Sequence, residues 1–190
     1  MTDQLLPLSR TEKTRARLLA AGFELFAEKG YEQTRISDIA AAAGVTEMTF
    51  YRHFGSKDQL LIDDPYDPLI ASAIGEQPAG LRPLARAVRG IRLAWRRLPI
   101  TDDAPIRQRV AIVASTPTLL PTLRASSAAT ERAIADQLVA DGADLTDATV
   151  AAAAAMAALM AGLTSWAVTD SGSLGDAVER SLDVLESRDE

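Results

Sequence analysis

The stretch from Ile36 to Lys57 limits what this chain can fold into more than any other part of the sequence. Apolar residues recur at helical spacing from Ile36, and Gly44 ends this first helix, because glycine takes the left-handed conformation that a sharp turn requires. Thr46 then stands where a hydroxyl caps a second helix, which we predict to run roughly from Glu47 to Phe54. Two short helices joined by such a turn form a helix-turn-helix, which places its second helix in the major groove of DNA.

The second helix of this motif has two different sides. Phe50 and Phe54 are one helical turn apart, so both face the interior. The opposite side carries hydroxyl, aromatic and charged groups, which suit base edges and phosphates. A half-buried structural role is the alternative for the histidine among them. We predict base contacts from Glu47, Met48, Thr49 and Arg52, and phosphate contacts from Thr46, Tyr51, His53 and Lys57.

The order of residues in this region is specific. The sequence reads Ala-Gly-Val-Thr at 43–46, Thr-Phe-Tyr-Arg-His-Phe at 49–54 and Ser-Lys at 56–57. This set resembles the DNA-binding domain of the tetracycline-repressor (TetR) family of transcription regulators. The resemblance implies a homodimeric, all-helical regulator. Its N-terminal domain, residues 1–55, would bind a palindromic double-stranded DNA operator, and its C-terminal domain, residues 56–190, would bind a small-molecule inducer and form the dimer.

One position departs from the family pattern. The family usually has Thr or Ser directly before the apolar residue that begins the first helix of the motif, whereas this chain has Arg35 there. The hydroxyl stands one residue earlier, at Thr34. We include both side chains among the candidates for phosphate contact, since an arginine can meet a phosphate as well.

The charge distribution is compatible with DNA binding, although the net charge is -6 and the pI is about 4.9. Basic and acidic side chains balance within residues 1–60, so all of the excess negative charge lies in the rest of the chain. An acidic body weakens non-specific adhesion to DNA and leaves local contacts intact. No basic-then-apolar export signal opens the chain and no segment favours a membrane span, so we expect a cytoplasmic protein.

The residues needed for catalysis or for a cofactor are missing from the sequence. There is no cysteine, and His53 is the single histidine. No glycine-rich phosphate loop and no zinc-spaced cluster occurs, and the aspartates of residues 63–67 do not match a calcium loop. We therefore predict no enzyme activity, no cofactor and no metal. The alternative to a DNA-binding regulator is a helical dimer that binds a ligand or a protein partner without operator recognition.

The remaining pattern predicts an all-α chain of about nine helices. The first runs from Ser9 to Glu28, and its basic side at Arg10, Lys13 and Arg17 is either solvated or placed against the DNA backbone. The helix that begins at Ser56 either kinks or ends near Asp63, because prolines follow. Later helices are predicted over about 81–98, 102–115, 117–140, 146–168 and 174–185.

The C-terminal helices supply the candidates for a dimer interface and an effector pocket. The last two helices suit a four-helix interface made from two copies, with a monomer core as the alternative. Residues 107–138 are similar to regulators associated with acyl-coenzyme-A-like effectors and to mycofactocin-linked regulators. We expect an apolar effector with an anionic end, such as an acyl thioester, unless the arginines are only solvated surface. The predicted pocket residues are Arg92, Trp95, Arg96, Met156, Met160 and Trp166.

Overall fold

The structure is a computed structural model that describes residues 9–62, 67–98, 100, 102–169 and 172–186. This part of the chain contains ten α-helices, one 3-10 helix and no β-strand. The all-α prediction is confirmed, with one helix more than the nine or so expected. The helices are α1 (Arg10–Lys29), α2 (Ile36–Ala42), α3 (Glu47–His53), α4 (Lys57–Ile62), α5 (Asp67–Gly75), α6 (Pro83–Arg97), α7 (Ala104–Ser115), α8 (Leu120–Ala140), α9 (Leu145–Thr169) and α10 (Leu174–Glu186), with the 3-10 helix at Pro117–Leu119 before α8.

The chain divides into two compact units, Met1–Ile62 and Asp63–Glu190. The division falls later than residue 55, where the sequence placed it, because α4 packs within the first unit. Leu60 of α4 is buried against α1, and a methyl group on Gly22 would lie only 3.0 Å from its Cδ2 atom. The helix predicted from Ser56 therefore begins with α4, and residues 63–66 lie outside the described part.

The first unit is built from α1 to α4 around a small aromatic and aliphatic core. The Ser9 hydroxyl accepts from the backbone N–H of Glu12 at 3.2 Å, and the Glu12 carboxylate accepts from the N–H of Ser9 at 2.7 Å. This reciprocal cap fixes the start of α1, as the sequence predicted. The core side chains are almost fully buried: Leu18, Phe26, Ile39, Phe50 and Phe54.

The core of the second unit lies among α5, α6, α8, α9 and α10. Its largest members are Ile74, Val88, Ile91, Ile134, Leu138, Met156, Trp166 and Leu182. Among the described residues α9 is the one helix long and apolar enough to cross a membrane by length and composition. It supplies Ala148, Ala152 and Ala155 to this core, each almost fully buried. The apolar character of α9 is therefore used in packing, as its composition predicted.

A buried arginine, Arg86, connects three helices of the second unit through an ion pair and hydrogen bonds. Arg86 of α6 is only 4% exposed. Its Nη2 lies 2.7 Å from the Asp141 carboxylate just after α8, and its Nε donates to the carbonyl of Ile74 at 3.3 Å. A second bond reaches the carbonyl of Gly75 at 3.4 Å, at the end of α5. The helix ends packed around Arg86 therefore make it an interior residue.

The helices α5 and α6 approach each other closely at Gly90. A methyl group at this position would lie 2.7 Å from the Cα of Ile74. Real Cβ atoms do not come that close to a backbone, so only glycine allows this crossing. Together with the Arg86 contacts, the crossing fixes the C-terminal half of α5 against α6.

Candidate functional site

The turn between α2 and α3 has the predicted geometry. Gly44 has a φ of 66°, in the left-handed region that glycine adopts without strain. The N–H of Val45 donates to the carbonyl of Ala40 at 2.9 Å, which satisfies a carbonyl at the end of α2. The helix-turn-helix thus follows from one glycine at the turn and an apolar residue behind it.

The start of α3 is capped as the sequence predicted. The Thr46 hydroxyl accepts from the backbone N–H of Thr49 at 3.2 Å. The two threonine hydroxyls also lie 3.0 Å apart. This pair holds the first turn of α3 in a fixed shape, because one free amide gains a partner there.

Two phenylalanines anchor α3 to the first unit. Phe50 is 0% exposed and Phe54 2% exposed. Their ring centroids lie 5.7 Å apart, and the guanidinium of Arg15 lies 4.3 Å from the centroid of Phe54. Arg15 also donates to the carbonyl of His53 at 3.4 Å. The C-terminal end of α3 is therefore fixed to α1.

The opposite side of α3 faces solvent. Met48 is 70% exposed and Tyr51 is 50% exposed. Thr49 and His53 are half-buried at the edges of this side. We call the four exposed residues, Glu47, Met48, Tyr51 and Arg52, the α3 surface.

Further cations lie exposed in the same unit. Arg35 is the residue before α2, and its side chain is exposed. Arg10, Lys13 and Arg17 of α1 are exposed too. The Nη1 atom of Arg17 lies 4.0 Å from where a Cβ on Gly44 would stand. One cation of α1 is therefore next to the turn of the motif.

Lys57, for which the sequence predicts a phosphate contact, has partners within the first unit. Its ammonium donates to the carbonyls of Tyr31 at 2.7 Å and Thr34 at 3.0 Å. It also lies 4.0 Å from the centroid of the Tyr31 ring. Burial lowers the pKa of the Lys57 ammonium. These carbonyls in the loop before α2 engage the side chain that the sequence assigned to a phosphate.

The structure corrects the predicted phosphate contact of Thr34. The side chain is 2% exposed, and its hydroxyl donates inward to the carbonyl of Gly30 at 2.8 Å. A phosphate outside the unit has no access to it. Next to it, the Tyr31 hydroxyl donates to the Asp58 carboxylate, and burial followed by this hydrogen bond raises the pKa of Tyr31. The loop before α2 is therefore held from inside, and Arg35 is the candidate that remains at its end.

The second unit contains an apolar cavity of about 100 Å³ between α5, α6, α7, α9 and α10. Trp95 lines it, together with Ile91 of α6 and Leu159 of α9. One charged residue is in its lining, Arg109 of α7. Beside the cavity is a polar cleft that shares Trp95 and contains Arg96. Of the six predicted pocket residues, the structure brings two to this site, Trp95 and Arg96.

The other predicted arginine, Arg92, lies elsewhere. It makes ion pairs with three carboxylates of α10: Glu179 at 2.7 Å, Asp183 and Glu186. The sequence placed Arg92 in the pocket as a cation for the anionic end of the effector. Its guanidinium is instead directed to the acidic side of α10, so it is not among the residues lining the cavity.

Three further predicted residues are not among those lining the cavity either. Met156 is 6% exposed within the core, and Met160 is half-buried farther along α9. Trp166 is 3% exposed, its indole N–H donates to the carbonyl of Gly172 at 3.1 Å, and the guanidinium of Arg107 lies 4.1 Å from its ring centroid. Trp166 therefore stabilises the turn before α10 and does not line the cavity.

The sequence reasoning missed Arg109. It lies three residues after Ile106, which also lines the cavity, so helical spacing puts both on one side of α7. That spacing alone does not say which side of α7 faces the interior. Among the described residues no group of three or more His, Asp or Glu side chains could hold a metal ion.

Comparison with known families agrees with both units. The model described as bacterial regulatory proteins of the tetR family matches residues 18–63, and the model described as the MftR C-terminal domain matches residues 82–190. The chain belongs to the TetR family of bacterial regulators. The TetR resemblance seen in the sequence is confirmed. Helix α5, which contributes Leu69 and Ile70 to the cavity, lies between the two matched ranges.

Individual TetR-family relatives show how far the similarity extends. The HTH-type transcriptional regulator TcmR of Streptomyces glaucescens is 33% identical over 147 residues, which are 73% of this chain and 65% of TcmR. An HTH-type transcriptional repressor of Mycobacterium tuberculosis is 46% identical over 60 residues, 32% of each chain. The chain thus spans less than two thirds of the length of these curated relatives.

Solved structures agree at the level of the fold. NalD, described as the secondary repressor of the MexAB-OprM multidrug efflux pump in Pseudomonas aeruginosa, is 25% identical with a TM-score of 0.60. The match covers 93% of this chain and 96% of NalD. The SmeT-triclosan complex is 21% identical with a TM-score of 0.62, covering 90% of this chain and 88% of that one. The TetR fold therefore extends over nearly the whole chain.

Proposed function

We propose that this protein is a ligand-responsive transcription regulator that represses by binding a palindromic operator as a homodimer and releases it when a small molecule binds. The observation that carries this proposal is the α3 surface, because Phe50 and Phe54 are fully buried behind it. A recognition helix needs one side that is fixed by packing and an opposite side that is accessible to DNA. The relatives are described as transcriptional regulators and a repressor, which supports this function and gives no support to an enzyme.

The exposed residues divide by chemistry into two groups of DNA contacts. Glu47 accepts from the amino group of cytosine, and Arg52 donates to guanine, so both would read base edges. Met48 offers an apolar contact to a thymine methyl group. Thr49, half-buried at the edge of this side, stays a candidate for a base contact. Phosphate contacts would come from Tyr51, Arg35 and the α1 cation Arg17, with Thr46 and His53 at the margin.

A homodimer supplies the second recognition helix. Half-sites of a palindrome lie about 34 to 36 Å apart, which a twofold axis between two copies satisfies. Val168 of α9 and Val184 of α10 are each 69% exposed, and a groove between these helices is lined by small residues such as Ala158 and Ala161. We place the dimer interface on this α9–α10 face, since a second copy would cover both valines.

The effector would enter the apolar cavity. An apolar molecule with an anionic end fits a site whose single charged lining residue is Arg109. The acyl thioester expected from the sequence is one member of this class. We place the protein in the cytoplasm, where both DNA and such metabolites occur.

The proposal is tested by selecting binders from a randomised duplex library with the purified full-length protein. We expect a palindromic consensus with half-sites about one helical turn apart. The matched variants are Tyr51→Ala with Arg52→Ala, which removes the α3 surface contacts, and Glu24→Ala on the exposed side of α1 as a control. A folded wild-type protein that enriches no sequence would overturn the proposal and leave the alternative, a helical dimer that binds a ligand or protein without operator recognition.

A further inference from the structure

We infer that the cavity takes a short free carboxylic acid, with Arg109 binding its carboxylate, and that a coenzyme A thioester is not its ligand. The inference deepens the proposed function, because it names the chemical class of the effector. It depends on Arg109, on the size of the cavity and on the charges of the neighbouring cleft.

Arg109 differs from the arginines around it. Arg92 has three carboxylate partners on α10. Arg107, two residues before Arg109, donates to the carbonyls of Trp166 at 3.1 Å and Gly172 at 3.0 Å. Arg109 is half-buried, and it has no ion pair or hydrogen bond to any part of the chain that the structure describes. Within the described part of the chain, Arg109 therefore lacks partners of the kind that Arg92 has in carboxylates and Arg107 has in carbonyls.

The surroundings of Arg109 strengthen this argument. The other residues that line the cavity are all aliphatic or aromatic, including Ile106, Leu163 and Val178. A charged group beside apolar walls is poorly solvated, so a bound anion gains more there than in water. A carboxylate matches the planar fork of a guanidinium with two parallel hydrogen bonds. The site therefore favours an apolar body that ends in a carboxylate.

The volume limits the size of that body. The cavity holds about 100 Å³, whereas an apolar protein cavity that binds benzene measures about 150 Å³. A space of this order takes only a short aliphatic chain and is too small for a long acyl chain. We take butanoate as the probe, because it has no more non-hydrogen atoms than benzene.

The charges of the polar cleft argue against a coenzyme A head group. The cleft adjoins the cavity through Trp95 and contains Asp102 and Asp103 as well as Arg96. The guanidinium of Arg96 already lies 3.5 Å from the carboxylate of Glu179. A head group with several phosphate charges would meet more carboxylates than free cations there, and like charges at short distance repel. A free acid leaves its only charge inside, at Arg109.

The test is calorimetric titration of the full-length protein at neutral pH without DNA, using butanoate, 1-butanol and butanoyl-coenzyme A. We expect butanoate to bind at least about tenfold more tightly than 1-butanol, with no detectable binding of the thioester. Arg109→Gln should remove the preference for butanoate and leave the butanol affinity unchanged. Arg109→Lys should restore part of it, and Arg89→Gln, a change of an exposed arginine of α6 that does not line the cavity or the cleft, should behave as wild type.

Several outcomes would overturn the inference. They are equal affinity for acid and alcohol, tighter binding of the thioester, a full preference retained in Arg109→Gln, and no heat from butanoate up to about 10 mM. The first and third would mean that the Arg109 guanidinium faces solvent and only its stem lines the cavity. Tighter binding of the thioester would refute the argument from the cleft charges, and no heat would mean that the cavity does not take a short acid. Operator binding is measured separately, so loss of DNA recognition would refute the proposed function without touching this result.

Discussion

The two units of the protein use their cations in different ways. In the first unit Arg35, Arg52 and Arg17 are exposed. In the second unit Arg86 and Arg92 are bound to carboxylates. The difference shows that the number of arginines in a helix says little about nucleic-acid binding. What matters is whether a guanidinium has a partner in the fold, because a paired cation has little left to offer a phosphate.

The comparison also explains how an acidic protein can bind DNA. Its net charge is -6, yet the carboxylates of α10 are engaged with Arg92. The exposed cations Arg17, Arg35 and Arg52 lie in the unit that carries the proposed DNA contacts. The predictions below test this division, beginning with the largest effect.

An unpaired charge on the α9–α10 face should be the most damaging change. In Ala158→Glu each copy would place a carboxylate among the small apolar side chains of the proposed interface, where burying a charge is costly. We expect complete dissociation to monomer at micromolar concentration, measured by light scattering. Thr149→Glu is the control, since it lies on the opposite side of α9 and is exposed. A dimeric Ala158→Glu protein would move the interface elsewhere.

Removing the buried cation of the second unit should destabilise the fold. Arg86→Ala leaves Asp141 without its partner and the carbonyls of Ile74 and Gly75 without a donor. We expect a loss of about 3 to 5 kcal/mol in the free energy of unfolding, measured by urea denaturation. Arg89→Ala, one turn along α6 and exposed, should change it by less than about 0.5 kcal/mol. Equal effects of the two changes would contradict the assigned role of Arg86.

Glu47→Ala should alter which sequence the protein prefers. A carboxylate accepts from cytosine and repels phosphates, so its removal should relax one symmetric operator position by about 1 to 3 kcal/mol. Overall affinity should not fall, because an acidic side chain has been removed near the backbone. The measurement is enrichment from a randomised operator library. An unchanged consensus would remove Glu47 from the base-reading set.

The smallest expected effect is on the salt dependence of operator binding, and it distinguishes the exposed Arg35 from Lys57, which has carbonyl partners. Arg35→Ala should lower the slope of log affinity against log salt by roughly 1.8, because each copy of the dimer loses one phosphate contact and each contact contributes about 0.9. Lys57→Met should leave that slope unchanged, because Lys57 already donates to the carbonyls of Tyr31 and Thr34. It should instead lower the melting temperature. The reverse result would return Lys57 to the phosphate set.

The local features of the fold could be predicted from the sequence. The caps at Ser9 and Thr46 and the turn at Gly44 depend on residues within a few positions of each other. The inward face of α3 follows from helical periodicity in the same way. The resemblance to the TetR family then indicated that this motif binds DNA.

The burial and the partners of each charged side chain could not be predicted, because they depend on helices far away in the chain. Arg86 and Arg89 are one turn apart on α6, yet one is buried and the other is exposed. Arg92 is drawn to α10, whose carboxylates follow it by about ninety residues. Lys57 reaches back to the loop before α2. Sequence spacing assigns such residues to a side of a helix, and only the packed fold shows what lies there.

The long apolar helix α9 has a consequence for how the protein is made. Synthesis proceeds from the N-terminus, so the residues of α9 leave the ribosome before those of α10, whose Val178 and Leu182 belong to the same core. Until α10 packs, a segment of 25 residues with the length and composition of a membrane anchor has part of its apolar surface uncovered. Complete burial of α9 therefore has to wait for the helix that follows it in the chain.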